Sequence, residues 1–214
     1  NTTRSVRLRL DLGREVSREI IEEALEIALQ APTGANTQTW RFLVVTDSKI
    51  KSGIADYYRK GAEVYIADQT GMTQTGVSAT REFSADDMRT AQKEGVMNSS
   101  MFLLENMQNV PAMIIPCIES RFEDEMPFVQ ASMYGSILPA TWSLMLALRA
   151  RRIASAWTSL HLVYEKEVRE LVGMPENFTQ AALLPIAWLK GGELHKAKRL
   201  PLSEVAYWDR WGQW

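Results

Sequence analysis

The stretch from Gly135 to Ala150 constrains this chain more than any other. Trp142, Leu144, Met145, Leu146 and Leu148 surround most of the circumference of a helix. A helix apolar on nearly all sides has to be buried in a core or against another subunit. Pro139 falls in the first turn of the helix so bounded, where proline is tolerated. Three short apolar runs surround it and read as buried strands: Arg41 to Thr46, Pro111 to Ile118 and Ala181 to Leu189. Helices and strands therefore share one core.

The remaining periodicities place further helices. Ser17 to Gln30 repeats Ile20, Ala24, Ile27 and Ala28 on one face, with Ser17 suited to the N-cap and Val16 with Ile21 to a hydrophobic staple. Lys49 to Arg59 reads as a helix with Ile50, Ile54 and Tyr57 inward, and Tyr164 to Val172 as another, ended by Gly173 and Pro175. Asn1 to Arg14 alternates Val6, Leu8, Leu10 and Leu12 with basic residues and reads as extended and half buried. Gly61 to Thr80 is the least regular segment. Ser84 to Asp87 suggests a capping box opening a helix that pauses at Gly95 and resumes from Asn98 to Asn109. Ile153 to Thr158 is a short strand or turn of small residues.

Composition removes several function classes. The 214 residues suffice for a full core in one domain, and the formal charge of −2 argues against nucleic acid as the main partner. The single cysteine, Cys117, lies in an apolar run, which implies a buried inert thiol and a reducing, cytoplasmic setting. No apolar run approaches a membrane span and no signal-peptide pattern is present. His161 and His195 have no second ligand at metal spacing, and no phosphate loop, dinucleotide fingerprint or nucleophile elbow occurs. Any redox chemistry would belong to a bound organic cofactor.

Two polar stretches remain as candidates. Ala31-Pro32-Thr33-Gly34-Ala35-Asn36-Thr37-Gln38-Thr39-Trp40 carries short neutral donors and acceptors that could read the edge of a planar heterocycle; alone, it is an ordinary helix-to-strand connection. Arg4, Arg7, Arg9 and Arg14 could hold a phosphate or form a solvated face. The tail from Tyr207 to Trp214 carries four large rings and should dock on its own domain or on a partner chain.

Taken in order, Arg4-Ser5-Val6-Arg7, the Ala31 to Trp40 stretch, Gly135-Ser136, Ala154-Ser155-Ala156-Trp157 and Lys198-Arg199-Leu200-Pro201-Leu202 with Val205 and Trp208 resemble the FMN-dependent nitroreductase family over nearly the whole chain. The resemblance implies an α+β, three-layer fold with a mixed, mainly antiparallel sheet flanked by helices, in an intertwined homodimer. It implies FMN at the dimer interface, with Arg4, Ser5 and Arg7 at the phosphate and ribityl chain. Pro32, Thr33, Gly34, Ala35 and Asn36, with Gln38, would lie over the flavin from the other subunit, Ala154 and Ser155 beside the ring, and Arg199 with Lys198 on the phosphate. Residues 61–109 would form a lid over the acceptor pocket, and residues 200–214 a tail docked on the second subunit. Two departures stand out: Arg151-Arg152 replaces a common glycine, and Thr3 stands where an arginine is common.

The activity so implied passes a hydride from NADH or NADPH through FMN to a small acceptor such as a nitroaromatic or quinone, with no catalytic side chain required. A flavin store or sensor, a structural dimerisation module, and other flavin reactions (dehalogenation, ene reduction, dehydrogenation) are the alternatives that the sequence leaves open.

Overall fold

The computed structural model describes residues 2–67 and 82–214. It contains β1 (Leu10–Asp11), α1 (Arg18–Ala28), β2 (Trp40–Val45), α2 (Ser48–Ala67), α3 (Lys93–Asn106), β3 (Ala112–Glu119), α4 (Pro127–Ala150), β4 (Ile153–Ser155), α5 (Glu165–Leu171), β5 (Phe178–Gln180) and β6 (Leu184–Leu189). The strand order is β1-β6-β3-β2, with β4 on the other side of β6 and β5 beside β3. Every pairing among the described strands is antiparallel.

Both faces of this sheet are covered, so its central strands are apolar at successive positions rather than at alternate ones. Side chains still alternate between faces. Met113 and Ile115 of β3 join Leu183, Ala187 and Leu189 against α2, α3 and α5. Ala112 and Ile114 join Leu184 and Ile186 against α1 and α4. The α+β, three-layer architecture expected from the sequence is the one observed. Pro116 lies where the second neighbour of β3 changes from β6 to β5, a position where a missing N–H breaks no continuous ladder.

Several expectations need correction. α2 does not stop near Arg59 but continues to Ala67, so Gly61 to Ala67 is helical, while 68–81 lies outside the described residues. Gly61 explains the register: a Cβ there would stand 2.0 Å from the Leu160 carbonyl oxygen. Ser84 to Asp87 forms a turn in which Asp87 accepts from the Arg89 amide, and α3 starts at Lys93 and runs through Gly95 unbroken. Gly costs a helix interior only about 1 kcal/mol, too little to stop it. α4 begins at Pro127, so Pro139 is interior and not in the first turn. The strand expected from Ala181 to Leu189 starts only at Leu184, and β5, just before that stretch, carries no apolar run to announce it. Leu8 is exposed although Val6 and Leu10 are buried.

α4 is long and apolar enough to cross a bilayer, contrary to the absence of such a run expected from the sequence. Its inner face, including Leu144, Met145, Ala147 and Leu148, is packed against the sheet and α1. Its outer face exposes Tyr134, Trp142 and Leu146, at 41%, 43% and 43%, while Leu138 packs partly against the core. Among the described residues the tail's tryptophans are exposed: Trp208 at 67%, Trp211 at 90% and Trp214 at 61%.

Two groups singled out in the sequence are packing residues. Burial pushes the Cys117 thiol up to about 11, which leaves it unreactive. His161 is fully buried, and neither ring nitrogen has a hydrogen-bond partner. Burial depresses its pKa to about 3, with Gln180 acting weakly the other way. The folded state thus binds His161's proton far less readily than the unfolded chain, whose imidazole titrates near 6.5. Stability is complete above that value and is lost as pH falls toward 3. Denaturant titrations should show His161 contributing a loss of about 2 kcal/mol between pH 7 and pH 5, and His161→Gln should remove that part of the slope.

Candidate functional site

The first candidate cluster is built on the outer edge of β4. The Val6 amide donates to the Ser155 carbonyl at 2.8 Å, so residues 4–6 run alongside β4. The Trp157 amide donates to the Ser5 hydroxyl at 2.9 Å, which fixes the next residues of the strand to the same run. Arg4, Ser5, Ala154 and Ser155 are thereby brought together.

The four N-terminal arginines have different employment. Arg9 donates to the Lys190 carbonyl at 2.7 Å and to the Gly192 carbonyl, pinning the turn after β6. The Arg14 guanidinium lies 3.6 Å from the centre of the Trp188 ring. Arg7 makes a single long contact, 3.5 Å to the Ser99 hydroxyl of α3. Arg4 and Arg7 form no ion pair among the described residues.

Arg7 sits between α3 and α2. Its charge reaches Tyr58, whose hydroxyl is 3.2 Å from Thr158 Oγ1; burial raises the Tyr58 pKa, while Thr158 and Arg7 act against it. Tyr58, Thr158 and Ser99 around Arg7 were not legible as site residues, because each lies in a stretch dominated by packing.

The second candidate is the connection from α1 to β2. Thr33 and Gly34 are half buried, while Pro32, Ala35, Asn36 and Gln38 are exposed. The Gly34 amide donates to the Ser136 hydroxyl at 2.9 Å, and Ser136 in turn donates to the Ser132 carbonyl. A Cβ on Gly34 would meet Ser132 Oγ at 2.2 Å, so any side chain there would force that hydroxyl to rotate away from the α1–β2 connection. Ser132 and Ser136, one turn apart near the start of a largely apolar helix, are the signal that marks this contact in the sequence.

This loop is costly as it stands. Ala35, Asn36 and Gln38 have φ of 50°, 55° and 52°, a region that costs side-chain-bearing residues about 1–2 kcal/mol each. Thr33 Oγ1 accepts from the Gln38 amide and Asn36 Oδ1 from the Gln38 side chain, offsetting part of that. Behind them the Thr39 hydroxyl and Trp40 indole N–H are buried without partners.

The two candidates are apart within one chain. Trp40 pairs with Ile118 at one end of β3, whereas Ser155 pairs with Ile186, which pairs with Ala112 at the other end. Six residues of strand separate those levels, roughly 20 Å, and β2 and β4 are three strand positions apart across the sheet. Lys198 and Arg199 are exposed, and among the described residues Arg199 donates only to the Lys198 carbonyl, at 3.0 Å. The same tail brings Glu204 close enough to Arg89 to raise its pKa, behind the larger effect of Asp87.

Arg151 and Arg152 turn away from this region. Arg151 pairs with Glu23 of α1 at 3.0 Å, and Arg152 donates to the Gly191 carbonyl at 3.0 Å. Arg152 holds φ at 63°, which accounts for the glycine expected there. No group of three metal-ligating side chains occurs among the described residues.

The nitroreductase family model matches residues 1–188. Solved structures share the fold: an iodotyrosine deiodinase bound to FMN and 3-iodo-L-tyrosine (20% identity, 93% of this chain and 92% of that one, TM-score 0.68). Others are an FMN- and NADPH-dependent nitroreductase from Sphigopyxis sp. strain HMH (21%, 98% and 96%, 0.65) and a nitroreductase with bound FMN from Desulfitobacterium hafniense DCB-2 (17%, 98% and 95%, 0.63). At these identities the likeness to solved structures is one of fold, whereas the family match spans most of the sequence: the chain belongs to the nitroreductase family.

Proposed function

We propose that this protein is an FMN-dependent oxidoreductase acting as a homodimer. The observation that carries the reading is the division of labour among the N-terminal arginines. Arg9 is held by backbone carbonyls and Arg14 stacks on Trp188, while Arg4, beside β4, and Arg7, between α2 and α3, form no ion pair among the described residues. A phosphate monoester of about −1.5 to −2 charge is the partner such a pair suits. Lys198 and Arg199 supply further positive charge from the far end of the chain.

In this reading Ser5, Ala154 and Ser155 offer polar groups to the ribityl chain and ring. Pro32, Thr33, Gly34, Ala35, Asn36 and Gln38 serve the flavin of the second copy, because their own Arg4–Arg7 run lies at another end of the protomer. That arrangement also gives the unsatisfied loop a setting outside its own chain. The outer α4 stripe and the aromatic tail are the surfaces such a dimer would bury, with residues 200–214 embracing the second copy. α3, with exposed Val96, Met97 and Met101, would line the acceptor pocket, as expected of its place within 61–109.

FMN, when bound, carries two electrons from NADH or NADPH to a small acceptor such as a nitroaromatic or quinone. The protein's own task is to bind, orient and exclude water; donors aimed at the ring would stabilise the negative charge that reduction brings. Fold neighbours that include a deiodinase and nitroreductases are consistent with an acceptor set by the lid rather than by the sheet.

The purified protein should be yellow, and NADH or NADPH should bleach it; a colourless protein that FMN cannot reconstitute would sink the proposal. Arg4→Gln and Arg7→Gln should each weaken FMN binding roughly ten- to hundredfold, the worth of a charge-assisted hydrogen bond. Arg9→Gln should lower thermal stability and leave FMN affinity intact; equal affinity in all three variants would remove the phosphate assignment. Trp142→Glu should shift the protein from dimer to monomer in light scattering, since a buried aromatic of this size contributes about 1.5–3 kcal/mol.

A further inference from the structure

A second cleft, sharing no residue with the proposed flavin region, opens beside the first turn of α2. It encloses about 610 Å³ between the segment after β1, the end of β2 and the start of β3. Arg14, Glu15, Val16, Thr46, Lys51 and Asn109 are among its lining residues.

Lys51 is the unusual one. It is only 9% exposed, and its Nζ donates to the Val110 carbonyl at 2.7 Å and the Pro111 carbonyl at 3.3 Å. An ammonium has three N–H donors, so one is left. No carboxylate pairs with Lys51 among the described residues. Burial lowers its pKa, and Asp47 opposes that only in part. The Asp47 carboxylate is occupied instead by the Lys49 and Ile50 amides, both at 2.9 Å.

A buried cation without an anion is costly, and the two carbonyls offset this without cancelling the charge. They account for a tie between α2 and β3. They do not account for the open volume, nor for the second cation: Arg14 also lines the cleft, stacked on Trp188 and making no ion pair among the described residues. Thr46 and Asn109 bring a hydroxyl and an amide, and Leu12, Val16 and Pro111 an apolar wall. Two cations against the single Glu15 carboxylate, with neutral polar groups and an apolar wall, suit an anion with a hydrocarbon body.

We propose that this cleft binds a small organic carboxylate, held by the third N–H of Lys51 together with Arg14, its apolar part against Leu12 and Val16. The inference stands independently of the flavin assignment. Benzoate titrated calorimetrically into the full-length, flavin-loaded protein should bind one per chain without moving the flavin absorption band. Lys51→Met and Arg14→Gln should each weaken that binding by about tenfold or more, as loss of a charge-assisted contact does. Should Lys51→Met fail to fold, Arg14→Gln and Thr46→Val carry the test. Absence of saturable heat, unchanged affinity in the folded variants, a benzoate-induced flavin band shift, or inorganic phosphate binding in place of benzoate would overturn the proposal.

Discussion

The architecture depends on one constraint: β3 is buried on both faces. Its successive residues from Ala112 to Ile118 have no solvent side, so each must be matched by helices above and below. That requirement places α2, α3 and α5 on one side and α1 with α4 on the other. It also fixes where the polar segments can emerge. The connection before β2 and the run beside β4 leave the sheet at different edges because β3 and β6 lie between them. The candidate site is thus divided by the core itself.

The division gives meaning to features that look wasteful within one protomer. A loop with three side-chain-bearing residues at positive φ and two orphaned polar groups behind it is not a minimum-energy connection. The same protomer leaves the outer side of α4 apolar and bare, and its terminal tryptophans in water. In the proposed homodimer each of these costs would be removed by contact with the second copy.

Legibility in the sequence followed the physics of periodicity. α1, β2 and β3 were readable because their apolar patterns coincide with a cap, a proline or a turn at each end. The start of α4 was not, because Phe128, Gln130 and Ser132 show no dominant face until the partner surfaces are known. β5 was invisible: Phe178-Thr179-Gln180 pairs through backbone with β3 and carries almost no apolar pattern. Of the site, Arg4 and Arg7 could be separated from Arg9 and Arg14 only once their neighbours were known, since residue type is the same in all four. Lys51 gave no signal, because a lysine in an amphipathic helix reads as solvated whichever way it points.

Gly61 and the Leu160 carbonyl approach so closely that no methyl group fits between α2 and the turn from Leu160 to Tyr164. Tyr58 and Thr158 bind the same two segments through a buried hydrogen bond. These segments cannot slide past one another and move as a single lever. The wall beside Arg7 formed by α2 is accordingly stiff, while the opposing wall, α3, is tethered there by one 3.5 Å contact from Ser99. Compliance around that arginine is one-sided: displacement there would fall to the part of α3 ahead of the fully buried Leu103, with the α2 side keeping its shape.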